Sequence, residues 1–242
     1  MSQPIAIISD IHGNAHALRA VLADMAVQGV GERLCLGDIV GYGASPAECI
    51  ELVRQHRFTC IQGNHDAMVG MNSSMDGLNV PTRLSIEWTQ KVLTQEQRGW
   101  LAALPMSHAT PAYQAVHASL HQPGEWPYVL TPSDAALHFP HQTHAVCFIG
   151  HTHRPAFWVA GEDQRRDITS LEDIRLDRHQ LVNVGAVGQP RDKDERACYA
   201  IYRPQKGDVW WRRVTYDIEG AQQGIMAAGL PPQFAGRLAL GK

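Results

Sequence analysis

Residues 5–14 read Ile-Ala-Ile-Ile-Ser-Asp-Ile-His-Gly-Asn. Four apolar residues of β type run into a polar turn that carries an Asp and a His two places apart. A helical period follows, with Ala15, Leu18, Val21, Leu22 and Met25 on one face, and Gly29 and Gly31 stop it. The same unit then returns. Arg33–Leu36 is a second apolar strand, ending in Gly37-Asp38. Pro46 opens a second helix that runs to about Arg57. Phe58–Ile61 is a third strand, ending in Gly63-Asn64-His65-Asp66. This alternation predicts a parallel sheet covered by helices. In such sheets ligands bind beyond the carboxyl ends of the strands, where all three polar clusters fall.

Further along, Asn72–Pro81 reads as a loop and Arg83–Leu104 as mostly helical, broken by Thr94 and Gly99. Gln114–Val116 is a strand ending at His117, and Ala145–Ile149 is a strand ending in Gly150-His151-Thr152-His153. The Pro-, Gly- and aromatic-rich 121–134 predicts a surface excursion, and the charged 161–179 a hairpin or loop. Leu181–Val184, Ala197–Arg203 and Val209–Thr215 read as antiparallel strands of a second sheet, followed by two short helices. The whole of 1–242 is expected to be one domain, with a small cap or excursions at about 66–110 and 121–144.

Composition narrows the function. A formal charge of -3 argues against a broad nucleic-acid surface. No apolar run approaches the ~18 residues of a membrane span, and the start of the chain has no signal-like pattern. Cys35, Cys49, Cys60, Cys147 and Cys198 are odd in number and form no CxxC pair, which predicts a reduced, cytoplasmic protein without disulfides.

Five clusters therefore share one placement after an apolar strand: Asp10-Ile11-His12, Gly37-Asp38, Gly63-Asn64-His65-Asp66, His117, and Gly150-His151-Thr152-His153. They supply Asp, His and Asn side chains and no thiolate, a donor set suited to Mn, Fe, Zn or Ni. Extended backbone would turn residues i and i+2 to the same side, so that Asp10 and His12, or His151 and His153, reach one site.

The ordered series D-x-H, G-D-x-x-G, G-N-H-D, H and G-H-x-H resembles the calcineurin-like metallophosphoesterase superfamily over at least residues 5–155. Residues 183–191 (NVGAVGQPR) and the Ala-Gly-Leu-Pro of 228–231 are similar to its bacterial small-phosphoesterase branch, which includes phosphodiesterases and asymmetric diadenosine tetraphosphate hydrolases. The resemblance implies an α/β fold, a four-layer α/β/β/α sandwich of two mixed sheets. It also implies a site for two divalent ions. Asp10, His12, Asp38 and His153 would hold one ion, Asp38, Asn64, His117 and His151 the other, with Asp38 shared. His65 would act as general acid or orient the phosphate, with Asp66 fixing its imidazole. The implied reaction is attack of metal-bound hydroxide on a small phosphorylated substrate, with nucleotides among the candidates: a phosphodiester, a phosphomonoester or a dinucleoside polyphosphate. The alternative of a different class is a non-catalytic scaffold of the same fold acting in protein interactions. The ligand series and His65 are present together, which favours the enzyme.

Asn14 is a candidate both for a helix cap and for a phosphate contact. Arg154 and Arg191 are candidates for substrate phosphate and equally for exposed ion pairs. Tyr42 and Trp126 read as packing residues more readily than as stacking platforms. His138, His141 and His144 read as a surface loop interrupted by Pro140. Asp38 is followed by Ile-Val-Gly-Tyr-Gly, not by the Asp-Arg-Gly of protein Ser/Thr phosphatases, which argues against that substrate class. Val184 and Ala186 stand where the branch more often has Pro and Ser, which leaves the role of the 183–191 loop open.

Overall fold

The computed structural model describes residues 3–168, 174–176 and 178–242. In chain order its elements begin with β1 (Ile5–Ile8), α1 (Ala15–Gln28), β2 (Glu32–Cys35), α2 (Pro46–Gln55), β3 (Thr59–Cys60), α3 (Asn64–Met71), α4 (Val80–Val92) and α5 (Gln95–Ala102). They continue with β4 (Ser107–Thr110), β5 (Tyr113–Val116), α6 (Pro132–His138), β6 (Val146–Ile149), β7 (Ala156–Val159), β8 (Arg165–Asp167) and β9 (Ile174–Arg175). β10 (Gln180–Asn183), β11 (Ala197–Arg203), β12 (Asp208–Val214), α7 (Ile218–Ala227) and α8 (Pro232–Leu238) complete the chain.

Two six-stranded mixed sheets form, ordered β3-β2-β1-β11-β12-β9 and β4-β5-β6-β10-β7-β8. β1 shows why they stack. Ile5 and Ile7 face the layer between the sheets, with Phe148, Val182 and Trp211, while Ala6 and Ile8 face α1 through Leu18, Val21 and Met25. A strand apolar on both faces must be covered on both, and each fully buried Ile or Leu contributes about 1.5–3 kcal/mol. β6 repeats the pattern: Val146 and Phe148 point between the sheets, and Cys147 and Ile149 point outward to Val129 and Ala135. The result is the expected α/β/β/α sandwich.

Three expectations are corrected. The last three strands do not form a sheet of their own. β10 lies in the second sheet, parallel to β6 and antiparallel to β7, whereas β11 and β12 extend the first sheet beside β1. β11 alternates Tyr199 and Ile201 toward α1 with Cys198, Ala200 and Tyr202 toward the inter-sheet layer, so it needs an interior place in a sheet. The charged 161–179 segment is not one self-contained hairpin: β8 folds back on β7 as a hairpin of the second sheet, β9 pairs with β12 in the first, and part of the segment lies outside the described residues. Gly99 does not break α5. Thr94 caps its start, and Met68, Val69, Ile86, Leu93 and Leu101 join the core under α1.

Candidate metal centre

The candidate ligands sit beyond strand ends, and five of them are not in extended backbone. Asp10 (φ 55), His12 (φ 49), Asp38 (φ 52), His151 (φ 64) and His153 (φ 60) are all left-handed. Such conformations cost a non-glycine residue roughly 1–2 kcal/mol each, and they persist where the surroundings over-determine them. Here the backbone does so: Asp10 N–H donates to Gly37 O (3.0 Å), His12 N–H to Asp38 O (2.9 Å) and Gly188 N–H to Asp10 O (2.9 Å). Asp10 and His12 share a site because Ile11 between them turns into the core. The extended-strand explanation of the two alternating motifs is therefore corrected.

Backbone carbonyls set the imidazole tautomers. A carbonyl only accepts, so the ring nitrogen facing it carries the hydrogen. His12 Nδ1 faces Val40 O (3.1 Å), His117 Nδ1 faces Leu36 O (2.8 Å) and His153 Nδ1 faces Gln189 O (2.6 Å). The three Nε2 lone pairs are left pointing at the site. Two of them, on His12 and His153, stand 3.1 Å apart, and His117 Nε2 lies 3.2 Å from His151 Nδ1. Lone pairs this close repel unless a cation or a proton lies between them.

The carboxylates are divided in the same way. Asp10 Oδ2 accepts from His151 N–H (3.0 Å), and Asp38 Oδ1 accepts from His65 N–H (2.9 Å). Their other oxygens face the imidazoles. Asp10 Oδ1 is 3.2 Å from His153 Nε2, and Asp38 Oδ2 is 3.6 Å from His12 Nε2 and 3.4 Å from His117 Nε2. Only glycine fits at position 63, where a Cβ would stand 2.2 Å from Asp38 Oδ1. Asp10, His12 and His153 form one group whose ligand atoms lie within 4.8 Å of one another, and Asp38, His117 and His151 form a second. Asn64 Oδ1 is buried without a partner among the described residues.

The electrostatics ask for positive charge. Burial alone would raise the carboxyl pKa values, yet His153 holds Asp10, and His117 with His65 holds Asp38, below the ordinary carboxylate value. Burial opposes charge on His117, but Asp38 pushes it up to about 9. The remaining imidazoles stay neutral: burial lowers His12 and His153, and takes His151 down to about 3. A divalent ion would replace the proton that Asp38 otherwise holds on His117, and buried carboxylates among unprotonated nitrogen donors are what such an ion requires, so this donor set fits a metal.

The other predicted residues divide. His65 is buried beside the ligands, its ring centre 4.8 Å from that of His12, and its ligand atom also lies within 4.8 Å of those of His12 and Asp38. Burial pushes it down to about 4, against the pull of Asp38. Its Nδ1 has no partner among the described residues. Asp66 does not hold that imidazole. Its carboxylate accepts from the backbone N–H groups of Ile39 (2.9 Å) and Gly63 (3.0 Å), tying α3 to the Asp38 loop. Asn14 is spent on structure as well: its Oδ1 caps α1 at Ala17 N–H (3.1 Å) and its Nδ2 donates to Gly188 O (2.9 Å). Arg154 is exposed, with Nε on Arg191 O (2.9 Å). The Arg191 guanidinium lies 5.8 Å from the centre of the Tyr42 ring, which packs 4.5 Å from both His12 and His65. Tyr42 is thus buried packing, as expected, but packing of the site itself. Trp126 meets His117 edge-on at 5.7 Å. His138 is corrected: it ends α6, fully buried, with Nδ1 accepting from Leu120 N–H (3.1 Å).

Two contributors escaped the sequence reading. Tyr128, half exposed, stacks on His151 at 4.1 Å and 16°; the aromatic-rich 121–134 stretch was its only signal. The 183–191 loop positions ligands: Asn183 Nδ2 donates to Gly150 O (2.6 Å), and Val187 N–H bonds Ser9 O (3.0 Å). Backbone groups of this kind leave no trace in residue identity.

Two mixed sheets with Asp, His and Asn gathered at their strand ends define a metal-binding α/β phosphoesterase class of protein. The chain matches the calcineurin-like phosphoesterase superfamily domain over residues 4–207, and it belongs to that family, whose members are divalent-metal-dependent hydrolases of phosphate esters. A metallophosphoesterase from Sphaerobacter thermophilus is 38% identical, with a TM-score of 0.90 and 100% of both chains covered. An uncharacterized protein of Methanocaldococcus jannaschii is 36% identical over 253 residues, 98% of each chain. A hypothetical protein of Pyrococcus horikoshii OT3 shares the fold, with a TM-score of 0.81 at 20% identity, covering 99% of this chain and 98% of its own.

Proposed function

We propose that the protein is a dinuclear metal-dependent phosphoesterase that hydrolyses a phosphate ester or anhydride. The observation that carries this reading is Asp38, which presents Oδ2 between the His12 and His117 Nε2 atoms, at 3.6 and 3.4 Å, where two ligand groups meet. Asp10, His12 and His153 with Asp38 would hold one ion, and His117, His151 and Asn64 with Asp38 the other. Two such ions, when bound, supply Lewis acidity toward phosphate and a water acidic enough to ionise near neutral pH.

The chain's own residues do the rest. The Val40, Leu36 and Gln189 carbonyls keep three imidazoles in the ligating tautomer. His65, kept neutral by burial, orients a phosphate oxygen through a ring N–H and is a weaker candidate for donating a proton to the leaving group. Arg191, whose guanidinium lies 5.8 Å from the centre of the Tyr42 ring, neutralises phosphate charge. Phosphodiesters, phosphomonoesters and dinucleoside polyphosphates all fit this chemistry. Five free, buried cysteines support action in a reducing cytoplasm.

The test is turnover of bis-p-nitrophenyl phosphate with Mn, Fe, Zn or Ni, set against the Asp38→Asn variant. Metal-dependent turnover that this variant abolishes supports the reading. No turnover with any of these metals, across diesters, monoesters and anhydrides, would leave the scaffold alternative.

A further inference from the structure

The structure holds a cavity of about 460 Å³, lined in part by Arg154, the residue after the candidate ligand His153. Its walls carry six cations, Arg154, Arg165, Arg191, Lys193, Arg196 and Arg213, against three carboxylates. The carboxylates are all engaged. Arg213 pairs with Asp192 and, at 3.7 Å, with Asp194. Arg196 pairs with Asp194 (2.6 Å) and Arg165 with Asp167 (2.6 Å). Arg154, Arg191 and Lys193 make no ion pair among the described residues. In a chain of net charge -3, this places unneutralised positive charge in one concave spot.

Arg191 connects the cavity to the ligand groups. Its Nη2 donates to Gln189 Oε1 (2.9 Å), its carbonyl accepts from Arg154 Nε (2.9 Å), and its guanidinium faces Tyr42. Its Nε is buried and donates to nothing among the described residues. Guanidinium groups suit phosphate because their planar donors match its oxygens in pairs.

We propose that this cavity is a second anion subsite, which takes a phosphoryl group lying beyond the scissile phosphate. The substrate class is then a molecule with a chain of phosphates, and simple one-phosphorus esters use only half of the site. This inference rests on the hydrolytic reading above and refines its substrate.

The test compares one-phosphorus and multi-phosphorus compounds, with Mn²⁺ in excess over total phosphate. Bis-p-nitrophenyl phosphate reports the reaction without the subsite; dinucleoside tri- and tetraphosphates report it with the subsite engaged. The expected kcat/KM is at least about tenfold higher for the polyphosphates. Lys193→Gln raises their KM roughly three- to tenfold with kcat retained, and leaves diester turnover as in the wild type. Arg154→Gln weakens competition by inorganic tripolyphosphate by a similar factor. Tripolyphosphate that competes as well as the dinucleoside compounds assigns the subsite to the phosphate chain alone; weaker competition adds a nucleoside contact, and either result keeps the subsite. Unchanged KM in Lys193→Gln, or an equal loss on both substrate types, overturns it. If the wild type hydrolyses nothing, the hydrolytic reading falls, and calorimetric binding of tripolyphosphate decides the subsite: equal affinity for wild type and Lys193→Gln overturns it.

Discussion

Gly41→Ala tests His65 without touching it. Gly41 has φ +89, and a Cβ there would stand 2.3 Å from His65 Nδ1, 3.1 Å from Cγ and 3.2 Å from Cε1. An ordinary carbon contact needs about 3.5 Å, so the ring must retreat by roughly 1.2 Å. The left-handed backbone adds a strain of about 1–2 kcal/mol. A displacement of this size at a positioned group costs on the order of 10²-fold in rate. The expected variant is folded, about 1–2 kcal/mol less stable by urea titration, and roughly 10²-fold slower in kcat on bis-p-nitrophenyl phosphate. Its Mn²⁺ affinity by calorimetry stays within about threefold, because His65 is assigned to the phosphate and not to a metal. Gly29→Ala is the control: its φ is +65 and nothing lies within 4 Å, so it carries the strain without the collision and should keep full activity. A Gly41→Ala enzyme with unchanged kcat would remove His65 from the reaction. A collapse of metal affinity would make His65 a ligand, the assignment its closeness to His12 and Asp38 also allows.

Three further outcomes are expected. Chelation should lower Tm and Mn²⁺ should restore it; at about 100 times Kd the gain is ~2.7 kcal/mol, or roughly 5–10 °C for a chain of this size, and a thermal melt of Asp38→Asn should show no such shift. Asn183→Ala strands the buried Gly185 N–H and takes the Asn183 amide off the Gly150 carbonyl; urea titration should show a loss of about 1–3 kcal/mol and calorimetry a metal affinity reduced about 10–100-fold, whereas intact affinity would make the 183–191 loop a mere connection. The third concerns pH. Burial disfavours charged Asp24, but Arg212 and Tyr199, both hydrogen-bonded to it at 2.7 Å, outweigh burial and hold its carboxyl below the ordinary value of 3.8. A lowered folded value means that its contribution is full above the unfolded pKa and fades as pH falls through the folded one. Asp24→Asn should therefore cost stability at pH 7 and flatten the acid limb of the stability curve between about pH 5 and 2; an unaltered limb would count against the pairing.

The five strand-end clusters were legible because each is local: an apolar run, a turn, then a side chain with a lone pair. Their order along the chain carried the family, and the two-faced apolar strands carried the layered fold. Asp10, His12 and His153 lie in one group and Asp38, His117 and His151 in another. Asp66 does not partner His65, and of the two readings of Asn14 the helix cap is the one the structure shows. Both neighbour the ligands, but their oxygens are taken by backbone N–H groups of Ile39, Gly63 and Ala17, and residue identity says nothing about which backbone group comes within reach.

By itself, the sequence determined the donor set and the strand ends that bear it, since side-chain chemistry and alternation are properties of a few consecutive residues. The tertiary structure alone decided the rest. It placed β11 between β1 and β12 and inserted β10 between β6 and β7. It aimed the Val40, Leu36 and Gln189 carbonyls at three imidazoles and brought Arg191 to Tyr42. These are contacts between segments far apart in the chain. They depend on how two buried sheets pack and which backbone groups that packing leaves facing inward, and no short stretch of residues encodes either.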